Sequence, residues 1–299
     1  MARRIRRILL GLLIAVVAVV VLVAGSILID TLLGRGRLDA VTNTVIPNRD
    51  GSPVRAYVAR PTTPGPHPGL VMIHEFWGLN EDIVGKADAL AQEGYVVVAP
   101  DTFKGRTTGW VPSAIWQVVS TPAQQVDADV DAAYVWLAGQ PQVRPERIGI
   151  LGFCFGGATS LRYSLSNPYL ASTVVFYGSL ITDPARLKAL SGPVLGVFGG
   201  ADQSIPLTEV RAFEAGLQQA GVKHQISVYE GQPHAFVKNV EGIRQGGAQG
   251  QAWAELLAFL NQNLKGTRAE RPSVTPIVAT DGLSARYLFM LAWSHLSHH

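Results

Sequence analysis

The chain has 299 residues, 47% hydrophobic and 16% charged, with one cysteine and a formal net charge of +3. That length and balance exclude large-scale disorder and suit one large α/β core or two small ones, and a lone cysteine excludes an intrachain disulfide. The positive charge resides in Arg3, Arg4, Arg6 and Arg7, without which the remainder carries −1; no run of Lys or Arg interleaved with aromatics follows, so the footprint of a nucleic-acid binder is missing.

Behind those arginines, residues Ile8 to Ile29 form an uncharged, almost wholly apolar run closed by Asp30. At roughly 1.5 Å per residue it covers a bilayer core of about 30 Å, whereas the apolar region of a cleaved signal is usually only about 7–15 residues. The reading is a transmembrane signal anchor over 1–30, with the lipid bilayer as partner of residues 8–29. It makes a single-pass cell-membrane protein whose main domain lies on the extracytoplasmic side. A cleaved export signal with a weak site at Val23-Ala24-Gly25 is the alternative, and it also places the domain outside. Residues 31–40, with Gly34, Arg35, Gly36 and Arg37, read as a polar linker.

Val41–Ile46 and Val54–Ala59 flank Asn48-Arg49-Asp50-Gly51, which predicts a hairpin. Leu70–Ile73 is a short continuous apolar strand, and Asn80 can cap a helix bearing Ile83, Val84, Ala87, Leu90 and Ala91 until Gly94 stops it. Tyr95–Ala99 is the next strand, and a helix from Pro122 carries Val126, Val130, Tyr134 and Leu137. Further strands are expected at Ile148–Leu151, Ser172–Phe176, Val194–Phe198 and Gln225–Tyr229. Helices are expected at Ala158–Leu165, Pro184–Leu190, Leu207–Ala220 and Ala252–Leu264. The alternation predicts a mostly parallel, doubly wound sheet flanked by helices over 41–265, with ligands beyond the C-terminal strand ends. Residues 266–299 read as a peripheral or disordered tail, whose His295, His298 and His299 read as solvated rather than metal-binding.

Gly152-Phe153-Cys154-Phe155-Gly156-Gly157 stands between a strand and a helix, the setting of a nucleophile elbow. Glycines flanking the nucleophile allow a tight turn and close helix packing, and a helix N-terminus favours a thiolate. A buried structural cysteine is the competing reading. If Cys154 is a nucleophile it needs a base and a group to orient that base, each following a strand. Asp202, after Val194–Phe198, and His234, after Gln225–Tyr229, supply them in the chain order of α/β hydrolases. The loop His74-Glu75-Phe76-Trp77-Gly78 would donate one oxyanion-hole N–H from Phe76, and Phe155 the other. Glu75 lies among apolar neighbours where charge is costly, with a salt-bridged rim carboxylate as its alternative. His74 reads as a structural histidine rather than a rival base.

Over about residues 41–265 the chain resembles the dienelactone hydrolase family of the α/β-hydrolase superfamily. The resemblance rests on His74-Glu75-Phe76-Trp77-Gly78-Leu79-Asn80, Ala99-Pro100-Asp101, Gly152-Phe153-Cys154-Phe155-Gly156-Gly157, Gly200-Ala201-Asp202 and His234-Ala235-Phe236. It implies the α/β-hydrolase fold, hydrolysis of a lactone or small carboxylic ester, and a triad of Cys154, His234 and Asp202. It also implies that Glu75 contacts the resting thiol and swings away when substrate binds, and that no metal and no cofactor are needed. Where such enzymes hold an anionic substrate with two arginines, this chain has Lys238 at one place and, at the other, Gly105 flanked by Lys104 and Arg106; these cations and Trp77 are the expected substrate-binding residues. Two readings from other classes stand beside the hydrolase: a membrane-tethered thiol redox sensor, and a silent hydrolase fold serving as a binding domain.

Overall fold

The computed structural model describes residues 2–266. The sequence readings of 267–299, including the three terminal histidines, lie outside the described residues. The chain begins with α1 (Ala2–Val41), a single continuous helix. Its residues 3–24 are exposed. Among the described residues it is the one helix long and apolar enough to cross a bilayer, a test that a signal sequence also passes.

Residues 31–40 are therefore the last turns of α1 and not an irregular linker. Gly34 permits the contact that holds them: a Cβ there would lie 2.7 Å from the Thr107 carbonyl oxygen. Arg37 donates to that same carbonyl at 3.2 Å and pairs with Asp30 at 3.0 Å. Leu38 and Val41 sink into the core. Tertiary packing here overrides the glycine and charge pattern, since propensity is a weak prior.

The hairpin expected around Asn48-Arg49-Asp50-Gly51 is present as β1 (Thr44–Pro47) and β2 (Pro53–Ala59), paired antiparallel. The sheet is completed by β3 (His67–Ile73), β4 (Val96–Pro100), β5 (Val143–Phe153), β6 (Ser172–Phe176), β7 (Val194–Gly199) and β8 (His224–Tyr229). Its order is β1-β2-β4-β3-β5-β6-β7-β8, with β2 antiparallel to β4 and every pair from β4 to β8 parallel. Leu70–Ile73, Val96–Ala99 and Val174–Phe176 are almost wholly buried. Such unbroken apolar runs identify strands covered on both faces, where each buried Val, Leu or Ile contributes about 1.5–3 kcal/mol.

The covering helices are α2 (Glu81–Gln92), α3 (Val111–Ser120), α4 (Ala123–Ala138), α5 (Phe155–Ser164), α6 (Pro184–Leu187), α7 (Leu207–Ala220), α8 (Val240–Gln245) and α9 (Gly247–Leu260), the last closed by a π turn at Asn261–Lys265. Asn80 caps α2 as expected, accepting a hydrogen bond from the Ile83 amide. α2 packs on β2 and β4, α4 on β1 to β5, α5 on β3, β5 and β6, and α9 on β7. α3 was not expected from sequence: it opens at an uncapped Trp110 with Pro112 in its first turn and carries no charge to mark a solvent face. α9 begins at Gly247 rather than at residue 252, and α8 was likewise not expected. Glycine signals at 246, 247 and 250 hide both helices.

Candidate active site

Four of the loops that leave the C-terminal ends of the parallel strands, those after β3, β5, β7 and β8, carry the expected site residues. Ile73 of β3 lies opposite Gly152 of β5 in the ladder, so the loop from His74 and the turn at Cys154 leave the sheet side by side. Cys154 sits between β5 and α5 with φ 56° and ψ −113°, a conformation that non-glycine residues rarely adopt and that costs on the order of 1–3 kcal/mol. Its neighbours make the turn feasible: a Cβ on Gly152 would fall 2.1 Å from the Gly156 carbonyl oxygen, and one on Gly156 would fall 2.3 Å from the Ile73 carbonyl oxygen. The Cys154 amide donates to the Phe176 carbonyl at 2.9 Å. Every residue of α5 is buried, which places its N-terminus, with its positive dipole end, inside the protein.

Asp202 follows β7 and His234 follows β8. One carboxylate oxygen of Asp202 accepts from the amides of Ser204 at 2.7 Å and Ile205 at 3.1 Å. The other lies 2.7 Å from His234 Nδ1, with both side chains buried. That contact assigns the Nδ1 proton of His234 to the Asp202 hydrogen bond. Burial opposes a charged ring, but the Cys154 charge and hydrogen bonds with Asp202 and Cys154 outweigh it, and the His234 pKa is pushed up to about 10. Asp202 and His234 are thus brought together. Cys154 is only 1% exposed, so the group lies beneath the surface.

Glu75 is half-buried. Desolvation raises its pKa, while Lys86 and then His234 oppose the rise. Lys86 is a site residue that the sequence reading missed. It is fully buried, its Nζ donates to the Lys238 carbonyl, and the same nitrogen stands 4.7 Å from the centre of the Phe153 ring. Desolvation lowers its pKa, against the opposing charge of Glu75. A signal existed: Lys86 falls between Ile83 and Leu90 on the apolar stripe of α2. Tyr177 was missed as well. It is buried after β6 at φ 39°, hydrogen-bonds the Val237 carbonyl at 3.2 Å and meets the His234 ring edge-on at 5.3 Å.

His74 is a structural residue. Its Nδ1 donates to the Glu75 carbonyl at 2.7 Å and its Nε2 accepts from the Thr102 amide at 3.2 Å, with burial lowering its pKa to about 4. Phe76 is buried against Trp77, ring centres 4.3 Å apart, and its carbonyl accepts from Gln117 of α3. Phe155 opens α5. Trp77 is half-buried, and its carbonyl accepts from the Thr108 amide at 2.9 Å.

The expected cations are distributed differently. Lys238 is exposed beside the His234 loop. Lys104 pairs with the buried Asp129 at 2.7 Å, and Arg106 donates to the hydroxyls of Ser120 and Thr121 and to the Phe103 carbonyl. Both are engaged in bracing the 101–121 segment rather than in the Cys154 group. Among the described residues no three His, Cys, Asp or Glu side chains are grouped to hold a metal ion.

Residues 54–264 match the model of the dienelactone hydrolase family. A protein of Methylorubrum extorquens assigned as a carboxymethylenebutenolidase is 34% identical over 205 residues, covering 64% of this chain and 70% of the relative. One of Escherichia coli O157:H7, assigned likewise, is 32% identical over 234 residues, covering 73% and 86%. Among solved structures, one assigned as a dienelactone hydrolase from Klebsiella pneumoniae superimposes with a TM-score of 0.65 at 31% identity, over 73% of this chain and 97% of that one.

Proposed function

Because this chain belongs to the dienelactone hydrolase family of the α/β-hydrolase superfamily, whose members are hydrolases acting on small esters or lactones, we propose that it cleaves such a substrate with Cys154 as the nucleophile. Two observations support this reading: the strained Cys154 at the N-terminus of α5, and the His234 imidazole held through Nδ1 by the buried Asp202 carboxylate at 2.7 Å. The Cys154 sulfur attacks the carbonyl carbon, forming a C–S bond and an oxyanion stabilised by the amides of Phe76 and Phe155. Collapse of the oxyanion breaks the C–O bond, and His234 delivers its proton to the departing oxygen. His234 then takes a proton from water, the hydroxide attacks the thioester, and the acid leaves as the C–S bond breaks.

The sulfur is covered, so the carbonyl reaches it only after a neighbouring side chain moves. Glu75 is the side chain assigned to that movement, because its carboxyl group is held at a desolvation cost and an outward turn would return it to water. Lys238 is retained as the cation that meets an anionic substrate; Lys104 and Arg106, already paired, are not. The catalytic domain is assigned to 41–265. It is held at the outer face of the cell membrane by α1, with the four arginines on the cytoplasmic side, a reading supported by the exposed apolar run of that helix.

The test is hydrolysis of p-nitrophenyl acetate and small lactones by the full chain in detergent, compared with Cys154→Ala. Loss of turnover is expected; a Cys154→Ala variant as active as the parent would overturn the assignment.

A further inference from the structure

α3 presents a face that the chemistry of the site does not use. From Thr107 to Val126 the sequence carries no charged residue. On α3 and its first flanking residue, Trp110 is 49% exposed, Trp116 52% and Val119 59%, while Ser113, Ala114, Gln117 and Val118 turn inward. Trp116 and Val119, three residues apart, lie on one side of the helix. A water-facing helix of a globular domain ordinarily carries charged or polar residues there.

The position of this face relative to α1 identifies what covers it. The Trp110 indole N–H donates to the Ser26 hydroxyl, in the last turns of the apolar run, at 3.3 Å. Thr108 donates to Asp30, one turn further on. At that same level the outward side of α1 is still apolar: Leu28, Ile29, Leu32 and Leu33 are 59–63% exposed. Trp110 therefore stands level with the end of the apolar helix, at the height where tryptophans concentrate in membrane proteins, and Trp116 and Val119 are exposed on the helix that it opens.

We infer that α3 lies in the plane of the membrane interface, with Trp110, Trp116 and Val119 seated at the boundary between lipid headgroups and acyl chains. This rests on the membrane attachment through α1 proposed above. The inner face of the same helix holds the site: Gln117 donates to the Phe76 carbonyl, and the adjoining Thr107 and Thr108 both donate to the Trp77 carbonyl. The lipid-facing side of α3 is thus the back of the helix that braces the proposed oxyanion loop, and the substrate class this position favours is an ester that partitions into the membrane surface.

The experiment places the full chain in vesicles of dioleoylphosphatidylcholine or of its acyl-brominated counterpart and compares tryptophan emission. Bromolipid is expected to quench the parent, Trp110→Phe and Trp116→Phe each to lose part of that quenching, and the double variant to lose most of it. Equal quenching in parent and double variant overturns the inference, as does emission shielded from both bromolipid and aqueous iodide, which would mean that a second copy of the chain covers α3. Extraction of the chain from the vesicles by carbonate would instead remove the underlying membrane attachment. In the same vesicles, Trp116→Lys is expected to lower kcat/KM for a long-chain ester while leaving p-nitrophenyl acetate hydrolysis unchanged. Equal loss on both substrates would sever the link between α3 and the substrate. Hydrolysis lost only in Cys154→Ala reports on the chemistry independently of all these outcomes.

Discussion

Replacing Lys86 by methionine keeps an aliphatic chain over Phe153 but removes the ammonium whose charge opposes the desolvation of Glu75. Glu75 is then left with His234 as its remaining cationic neighbour, and the Lys238 carbonyl loses its donor. Leaving the Lys238 carbonyl without that donor and the half-buried Glu75 with less compensation should cost about 1–3 kcal/mol. Glu75→Gln alone should also destabilise the protein, since Lys86 stays buried without the anion that supports its charge. The double variant should cost less than the two single costs together by about 1–3 kcal/mol, the range found for residues that share a network. The assay is urea unfolding at pH 8 in detergent micelles, with a complete double-mutant cycle. Additivity within about 0.5 kcal/mol would refute the coupling of Lys86 to Glu75. The activity profile supplies a second readout: without Lys86 the Glu75 pKa rises further, so the acid limb of the kcat/KM profile should move to higher pH.

His74 should leave its mark on stability in acid. Its folded pKa is lowered to about 4, against roughly 6.5 in the unfolded chain, so between those values the unfolded chain binds the extra proton. Its contribution is complete above pH 6.5 and falls by roughly 3 kcal/mol as the pH drops through 4. The raised pKa of Asp101, about 6, acts in the opposite direction over much of that range. The comparison that isolates His74 is therefore with His74→Gln, which should flatten the loss of stability between pH 6.5 and 4.5; identical slopes would contradict the reading. Gly156→Ala places a methyl group against the Ile73 carbonyl oxygen at 2.3 Å, and should lower turnover by about 100-fold as the Cys154 turn is displaced. Gln117→Leu leaves the buried Phe76 carbonyl without that donor. It should lower kcat about tenfold with little change in KM, as expected where an oxyanion donor is less well held; a change confined to KM would remove Phe76 from the oxyanion role.

What the sequence made legible was whatever repeats with a period or needs a particular residue. The central strands were visible because each is an unbroken apolar run with both faces covered, and the hairpin because Asn48-Arg49-Asp50-Gly51 punctuates it. Cys154, Asp202 and His234 could be singled out because a turn with φ 56° at a reactive side chain needs small neighbours, and because successive parallel strands deliver their loops to one end of the sheet. α3 escaped because it has neither a capping residue nor a charged one. The end of α1 escaped because glycines and arginines that normally mark a linker here accommodate Thr107 and pair with Asp30. Lys86 lay in view on an apolar stripe, but its role depends on Lys238, which is 152 positions away in sequence. Lys104 and Arg106 show the converse limit: a positive charge beside an expected site has no direction until its partners, Asp129, Ser120 and Thr121, are known.

The claim on which the proposed chemistry depends is that an acyl group resides on the Cys154 sulfur during turnover. Intact-mass spectrometry of the full chain, quenched in acid after brief exposure to p-nitrophenyl acetate, should reveal a single acetyl adduct that maps to the peptide containing Cys154 and decays on standing at neutral pH. A chain that turns over the ester with no adduct on that peptide, or with the adduct elsewhere, would contradict it.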